Sequence, residues 1–338
     1  MLYRILIFLW LPFLSQAQTI APNQMGPELI TFLQDNYTPT GTLGYSLARD
    51  VLYAEIDNVG LDLFGIYTNF KVTLDPNEDP SVSAFMNGQG LNAEHVYPQS
   101  KGAGDEPQRS DMHNIFPCKV NVNDARGSCA YADIEDDDTD TWYTLNIISN
   151  NIPTTNIDSY SEKDAEDCQF EPREEVKGNI ARAIFYFYTI YQDQANAADP
   201  NFFHLQKETL LQWHLDDPVD TTETQRNDLI AAEQGNKNPF IVDATLAQRA
   251  YFVTNVHNPL AQNDWVRISS NLVTTHLHIF SEKEKGELYI LDLTGRVQHQ
   301  EVLRQEMTLN VENLAVGSYL LQVRSAENIQ AFRFVKIE

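Results

Sequence analysis

The chain has 338 residues, of which 42% are hydrophobic and 21% are charged, and this balance excludes a largely disordered protein. The length favours two domains over a single core, since domains commonly hold about 100–200 residues. Taken alone, the formal net charge of −25 argues against a nucleic-acid ligand, because binding to phosphates requires lysine and arginine side chains.

The N-terminal segment, residues 1–17, has the pattern of a secretory signal peptide. Arg4 supplies a positive charge, a short apolar run follows, and Ser15-Gln16-Ala17 has the form of a cleavage site. The alternative is an N-terminal membrane anchor, but no stop-transfer pattern follows and no other stretch approaches 18 consecutive apolar residues. We therefore expect an exported protein with no stable membrane insertion.

Export makes disulfide bonds possible, and the chain has three cysteines, Cys118, Cys129 and Cys168. One disulfide and one free thiol is the simplest account, but the spacing does not decide which two cysteines pair. No C-x-x-C motif occurs, so the sequence favours neither a zinc ribbon nor a thioredoxin-like redox site.

The first part of the predicted mature chain holds both helices and strands. Apolar residues at spacings of three and four predict amphipathic helices in the stretch PELITFLQDNY and over residues 45–57. Residues 65–74 and the stretch GLNAEHVY are rich in alternating β-branched and aromatic residues, which predicts two strands. A polar, glycine-containing loop follows at residues 101–110.

A short helix is predicted beyond this loop, over about residues 117–126. Pro117 suits a first helical turn and Gly127 suits a helix end. Asn123 and Arg126 would then lie one turn apart on the same face of the helix. The predicted order around the loop is therefore strand, strand, short helix.

An acidic run at residues 133–140 places aspartates at alternate positions, as a calcium-binding loop does. An EF-hand also requires glycine at its sixth position and glutamate at its twelfth, which here are Thr141 and Ile147. The EF-hand interpretation therefore fails, and a solvated loop is favoured.

Three further helices are predicted, at residues 176–192, 200–214 and 221–236, and the first is so strongly apolar that we expect it to be buried. The third begins at an N-cap, Thr221 or Thr222, and ends at Gly235. From residue 263 onward, apolar and polar residues alternate in short runs separated by turn residues, which predicts a small antiparallel β-sandwich of six or seven strands. We expect two domains, 18–245 and 263–338, connected by residues 246–262.

Four residues around the predicted strand, strand and helix supply the groups needed for metal-assisted phosphodiester hydrolysis. Glu94 and Asn123 offer hard oxygen ligands of the kind that Mg²⁺ prefers, and His95 is a natural general base near neutral pH. Arg126 could bind a phosphate oxygen. A zinc protease is disfavoured, because the H-x-x-E-H motif would need histidine where Leu91 stands and no H-E-x-x-H motif occurs.

Several ordered motifs resemble the bacterial endonuclease I family, which belongs to the ββα-metal, or His-Me finger, nucleases. They are NAEHVYPQS, SDMHNIFPCKVNVNDARGS, KGNIARAIFY, DPVDTTETQRND and QGNKNPF, and together they extend over about residues 28–243. The C-terminal segments LYILDLTGRV, LAVGSYLLQV and FRFVKIE look like a type IX secretion sorting domain.

The resemblance implies a role for each matching residue. His95 matches the general base, Glu94 and Asn123 match the ligands of a single divalent ion, and phosphate contact is our inference for Arg126. The remaining matches form a block that we expect to support the metal finger without reacting. These supporting residues are Asp111, His113 and Asn114.

The implied fold is α+β, with a ββα-metal finger nuclease core wrapped by helices and a C-terminal antiparallel β-sandwich. The implied protein is a secreted, sequence-nonspecific endonuclease acting on DNA and on RNA with Mg²⁺, or with Ca²⁺ or Mn²⁺ in its place. We expect a monomer whose C-terminal domain is recognised by the type IX secretion machinery. The preference between DNA and RNA stays open.

The acidic charge leaves a competing hypothesis, a catalytically inactive secreted binding or adhesion protein on a nuclease scaffold. Residues 91–130 hold five acidic and four basic residues, so the acidic excess lies elsewhere in the chain. A bound divalent ion would add positive charge there. The complete set of Glu94, His95 and Asn123 favours the enzyme.

Overall fold

The computed structural model describes residues 19–252, 265–268, 272–282, 286–292, 295–325 and 329–337. The predicted signal peptide lies outside the described residues, and so does most of the predicted connection between the domains. The described residues fall into two compact units, one built mainly from residues 27–248 and one that contains the described part of residues 249–338.

The described residues combine α-helices with β-strands in an α+β arrangement. The helices are α1 Gly26–Tyr37, α2 Tyr45–Val51, α3 Pro80–Phe85, α4 Val120–Arg126, α5 Lys177–Ile190, α6 Gln192–Ala198, α7 Phe202–Asp216, α8 Thr221–Gln234, α9 Pro239–Val242 and α10 Leu246–Tyr251. A π-helical turn, Leu52–Ile56, continues α2. None of the helices within the described residues combines the length and the apolar character needed to cross a membrane.

The strands of the first unit form three small sheets. The strands are β1 Asn58–Val59, β2 Asp62–Phe64, β3 Lys71–Thr73, β4 Leu91–His95, β5 Ile115–Lys119, β6 Ala130–Tyr131, β7 Thr141–Thr144, β8 Ile147–Ser149, β9 Ser161–Asp164 and β10 Gln169–Glu171. Their orders are β1-β2-β3, β4-β5 and β6-β10-β9-β7-β8.

The arrangement of strand, strand and helix that bears most on function is formed by β4, β5 and α4. The two strands are antiparallel, and their register pairs Leu91 with Lys119 and His95 with Ile115. Helix α4 starts at the residue that follows β5, so the helix lies against the hairpin without an intervening loop. Helix α5, buried along all of its length except Asn179, forms the centre of the helical part and contacts α7.

The predicted strand over residues 65–74 is wrong in its first half, because only Lys71–Thr73 joins a sheet. The preceding residues form a turn in which the backbone N–H of Asn69 donates to the carbonyl of Gly65 at 2.8 Å. A Cβ at Gly65 would lie 3.2 Å from the backbone nitrogen of Lys119. The backbone conformation of this segment is therefore set by close packing against the β4–β5 hairpin, and not by its alternation of apolar residues.

The predicted helix over residues 117–126 begins three residues too early. Pro117 lies within β5, opposite Ala93, and its carbonyl accepts a hydrogen bond of 2.8 Å from the backbone of Ile66. Proline has no N–H to donate to a neighbouring strand, so it is tolerated in edge strands. Both strands of this two-stranded sheet are edge strands. The predicted end is confirmed, since Gly127 follows α4 with a φ of 58°.

The predicted N-cap of α8 is also wrong, by one or two residues. Asp220, and not Thr221 or Thr222, accepts a hydrogen bond from the backbone N–H of Glu223 at 2.7 Å. A carboxylate both satisfies this free N–H and complements the positive end of the helix dipole. Gly235 ends the helix in the left-handed conformation, as predicted.

The sheet β6–β10 was not predicted, because its strands are only two to four residues long and two of them, β9 and β10, carry charged residues. A disulfide between Cys129 and Cys168 joins the two chain segments that flank this sheet, and Cys118 remains a buried free thiol. The pairing left open by the sequence is thereby decided. The acidic run lies on the surface, with Asp136–Asp138 in a single 3₁₀ turn.

The second unit consists of strands in two sheets. The strands are β11 Val266–Ile268, β12 Leu272–Val273, β13 His276–Ser281, β14 Gly286–Asp292, β15 Val297–Leu303, β16 Glu306–Asn310, β17 Gly317–Arg324 and β18 Ile329–Lys336. The orders are β11-β13-β16 and β12-β18-β17-β14-β15, antiparallel except where the short β12 pairs with β18. Inward residues of both sheets, among them Ile279, Leu309 and Leu321, form one apolar core. The described residues thus hold one or two strands more than predicted.

Candidate active site

A cleft of about 360 Å³ opens beside the end of β4 and the C-terminal half of α4. Glu94, His95 and Asn123 all line it, together with Gln99 and Ser128. Adjacent residues on a regular strand point to opposite sides, so Glu94 and His95 could not share a site in mid-strand. Strand β4 ends at His95, and both side chains border the same cleft.

The Glu94 carboxylate is 2% exposed and is held from its buried side. Its Oε1 accepts a hydrogen bond of 2.7 Å from the Tyr67 hydroxyl and lies 3.1 Å from Nη1 of Arg126. Burial raises the pKa of Glu94, while the charge of Arg126 and the Tyr67 hydroxyl oppose the increase. Both contacts occupy the same oxygen, and within the described residues Oε2 has no such partner.

The His95 imidazole is fixed by its two ring nitrogens. Nε2 lies 2.8 Å from the carbonyl oxygen of Arg109, which can only accept, so Nε2 carries the proton. Nδ1 is therefore the basic nitrogen, and it accepts a 3.2 Å contact from the amide of the exposed Gln99. Burial lowers the pKa of His95 to about 4, while the bond to Arg109 opposes the decrease. The imidazole is consequently neutral near pH 7.

The Asn123 amide is oriented by its nitrogen. Nδ2 donates to Oδ1 of Asn92 at 2.8 Å and to the carbonyl of Ala93 at 3.1 Å. Among the residues that the structure describes, none donates to Oδ1 of Asn123. The cleft is thus lined by a carboxylate and an amide that each have one oxygen without a partner among the described residues.

Arg126 is fully buried, and its contacts are internal. Nη1 donates to the His95 carbonyl at 3.1 Å, and Nη2 donates to the Val96 carbonyl at 2.8 Å. The guanidinium also lies over the Tyr131 ring, 4.6 Å from its centroid. This placement favours a role in holding the end of β4 and the Glu94 carboxylate over the phosphate contact expected from the sequence.

The three residues expected to be supporting lie behind the cleft. Both carboxylate oxygens of Asp111 are satisfied, Oδ1 by Gln234 at 2.8 Å and Oδ2 by the hydroxyl of Tyr186 at 2.7 Å. Asn114 bonds the backbone of Tyr97 twice, accepting at 2.7 Å and donating at 3.0 Å.

His113, the third of these residues, is buried with Nε2 3.0 Å from the carbonyl of Asn236. Burial lowers its pKa to about 4, while the Asp111 charge opposes the decrease. None of the three residues lines the cleft. Their contacts fit the expected supporting role.

The donor set of the cleft fits one hard divalent ion. Within the described residues no group of three or more His, Cys, Asp or Glu side chains could hold a metal. Mg²⁺ is commonly bound by one or two carboxylates, with water and substrate phosphates as its other ligands. Glu94 Oε2 and Asn123 Oδ1 suit that mode of binding.

Sequence reasoning missed the residues that hold this site in place. Tyr67 orients Glu94, Asn92 orients Asn123, and the Arg109 carbonyl orients His95. Tyr67 and Arg109 are 27 and 14 residues from their partners in the chain. No local pattern marks such pairs, although the conspicuous Glu-His dipeptide does mark the strand end they support.

Two parts of the chain match known protein families. The family model described as Endonuclease I matches residues 23–245, and a model described as a secretion system C-terminal sorting domain matches residues 263–337. An extracellular ribonuclease of Bacillus subtilis (strain 168) is 31% identical over 189 residues, 51% of this chain and 58% of the relative.

Two further relatives have similar identity. An extracellular ribonuclease of Bacillus amyloliquefaciens is 32% identical over 168 residues, 44% of this chain and 50% of the relative. An extracellular deoxyribonuclease of Aeromonas hydrophila is 31% identical over 143 residues, 41% of this chain and 53% of the relative. The chain thus spans about half the length of the curated relatives it matches.

Proposed function

Because this chain belongs to the endonuclease I family and carries a type IX secretion sorting domain, we propose that it is a secreted, sequence-nonspecific endonuclease. Its substrates would be DNA and RNA, which are hydrolysed at phosphodiester bonds with one divalent ion. The relatives named above include both ribonucleases and deoxyribonucleases, so both substrates are tested below. The observation that carries the proposal is the convergence of Glu94, His95 and Asn123 on one cleft.

In this proposal β4, β5 and α4 form the ββα-metal finger, and each side chain has one task. Nδ1 of His95 takes the proton of the attacking water, because its tautomer is set by the bond from Nε2 to the Arg109 carbonyl. Glu94 and Asn123 would hold the ion. Arg126 and Tyr67 would position the Glu94 carboxylate from behind.

A bound divalent ion supplies positive charge that stabilises the phosphate oxygens in the transition state. Specificity for sequence is not expected, since the groups assigned to the reaction act on the phosphodiester, which is the same at every position of a nucleic acid. We also propose that the nuclease domain extends over residues 18–245 and the sorting domain over residues 263–338.

The direct test is digestion of supercoiled plasmid and of single-stranded RNA by the purified protein. With Mg²⁺, nicked and then linear plasmid should accumulate without preferred positions, RNA should be degraded, and EDTA should stop both reactions. If neither nucleic acid is cleaved with Mg²⁺, Ca²⁺ or Mn²⁺, the proposed function is wrong and a binding protein on this scaffold would be favoured.

The metal ligands can be tested by substitution. Glu94→Gln and Asn123→Ala should each raise the Mg²⁺ concentration for half-maximal activity by about tenfold or more, because loss even of a residue that only orients a metal ligand costs about 10–100-fold in affinity. Excess Mg²⁺ should restore part of the activity. Asn121→Ala, which changes the same residue type in α4 but does not line the cleft, is the matched control. Parental Mg²⁺ titration curves for both ligand variants would exclude these residues as ligands.

A further inference from the structure

A second cavity, of about 420 Å³, lies on β4 next to the active-site cleft. The two cavities share Ala93 as a wall, and the second continues along the strand to Asn92. Asn92 is also the residue that accepts the 2.8 Å hydrogen bond from Asn123. A nucleic-acid strand lying in the cleft would therefore bring a neighbouring nucleotide to the second cavity.

One wall of this cavity combines an aromatic ring with cations. The guanidinium carbons of Arg49 and Arg109 lie over the Tyr45 ring, 4.5 Å and 4.3 Å from its centroid. The centroids of the Tyr45 and His95 rings lie 5.6 Å apart, so this wall is next to the proposed general base. Tyr45 and Arg49 both line the second cavity.

Arg49 lines the cavity and Arg109 lies behind it on the Tyr45 ring, and neither is neutralised by an ion pair within the part of the chain that the structure describes. The Nε atoms of both Arg49 and Arg109 are buried and have no hydrogen-bond partner among the residues that the structure describes. The acid whose charge interacts with Arg49 is Asp79, and its Oδ1 already accepts from the first backbone N–H groups of α3. In a chain with a net charge of −25, two such cations beside the active-site cleft favour an anionic ligand.

The rim of the cavity exposes large apolar side chains. Phe85 and Val82 lie one turn apart on α3, line the cavity, and are 44% and 55% exposed. Tyr53 lines it as well, and its buried hydroxyl has no hydrogen-bond partner in the described structure. A single exposed apolar residue would need no explanation, but this set borders a cavity of ligand size.

We infer that the second cavity is a nucleotide subsite, which takes the nucleotide adjacent to the scissile phosphodiester. The base stacks against the aromatic side chain of Phe85, and Arg49, which lies over the Tyr45 ring, binds the phosphate. Stacking on aromatic rings tolerates any base, since every base has a π-face, and so the subsite adds affinity without sequence preference. This inference rests on the proposed nuclease function and names how the substrate strand is held beyond the reacting groups.

The subsite is tested by binding, separately from cleavage. The full chain carrying His95→Ala is titrated with a short fluorescein-labelled oligothymidylate in Mg²⁺, and anisotropy gives the Kd. Phe85→Ala should weaken binding about fivefold or more, but should not weaken binding of an abasic strand of the same length. Arg49→Gln should weaken binding of both strands, and should reduce the slope of log K against log salt by about 0.7.

Matched controls separate the subsite from general effects. Phe280→Ala changes a phenylalanine of nearly equal exposure, 45%, and Arg304→Gln removes one exposed positive charge, both in the second unit. Thermal melting of each variant confirms that it is folded.

Equal Kd values for the parent, Phe85→Ala and Arg49→Gln would overturn the subsite, even if the parent cleaves plasmid. Weaker binding in both variants would support it, even if the parent does not cleave. If Phe85→Ala weakens binding of the abasic strand as much as binding of the oligothymidylate, base stacking is contradicted, and with it the subsite as stated.

Discussion

His95→Ala is expected to lower kcat for plasmid cleavage by about 10²–10⁴-fold, the usual contribution of a general base. The physical reason is that Nδ1 is the basic nitrogen of a neutral imidazole whose tautomer is set by the Arg109 carbonyl. Burial lowers the pKa of His95 to about 4, so the base is available throughout the neutral range. Steady-state kinetics with saturating Mg²⁺ measures the effect, and added imidazole should restore part of the rate.

His214→Ala is the matched control for this change. His214 is equally buried, burial also lowers its pKa to about 4, and its Nε2 likewise contacts a backbone carbonyl, that of Ala244 at 2.8 Å. It does not line the cleft. This variant should lose stability but keep kcat within a fewfold at a temperature where it remains folded. Near-parental turnover by His95→Ala would remove His95 from the mechanism.

Arg126→Met is expected to lower the free energy of unfolding by about 3–5 kcal/mol, the cost of leaving one member of a buried ion pair without its partner. Glu94 and Arg126 are 2% and 0% exposed, so water cannot replace the lost contact. The variant should also need more Mg²⁺ for activity, because the Glu94 carboxylate loses the group that holds Oε1. Urea denaturation and a Mg²⁺ titration measure the two effects.

Two further variants decide between positioning and phosphate contact for Arg126. The double variant Glu94→Gln with Arg126→Met should be more stable than Arg126→Met alone, since no uncompensated charge remains. Arg304→Met, which replaces an exposed arginine, should change the free energy of unfolding by no more than about 0.5 kcal/mol. If Arg126→Met instead keeps parental stability and reduces the salt dependence of oligonucleotide binding, Arg126 contacts phosphate and the positioning role is wrong.

The same contacts explain how far the site could be predicted from the sequence. The Glu-His dipeptide at the end of a predicted strand and Asn123 on a following helix pointed to one cleft, and the structure brings these three residues there. The position of Arg126 was not predictable. Its spacing from Asn123 places both on one face of α4, but only the packing of Glu94, Tyr131 and the β4 carbonyls decides that this face is buried.

The helix and strand boundaries likewise divide into those that the local sequence predicted and those that it could not predict. Helices α1, α5 and α7 were predicted because each is rich in apolar residues, and α8 because its end signals lie in the local sequence. The buried residues of α8 are mostly polar, Glu223, Asn227 and Gln234 beside Ile230. The turn before β3 and the strand position of Pro117 depend on contacts with segments distant in the chain. Strands β6–β10, with two to four residues each, are too short to carry a periodic signal.

The sequence by itself therefore determined the α+β class, the predicted two-domain division, the family resemblance and the three residues expected to act on the phosphodiester. Only the tertiary structure decided the cysteine pairing, the buried position of Arg126 and the cavity formed by Tyr45, Arg49 and Phe85. The physical reason is distance along the chain. Periodicity and motif spacing report on neighbours within a few residues, whereas these features arise where side chains from separate segments meet and exclude water.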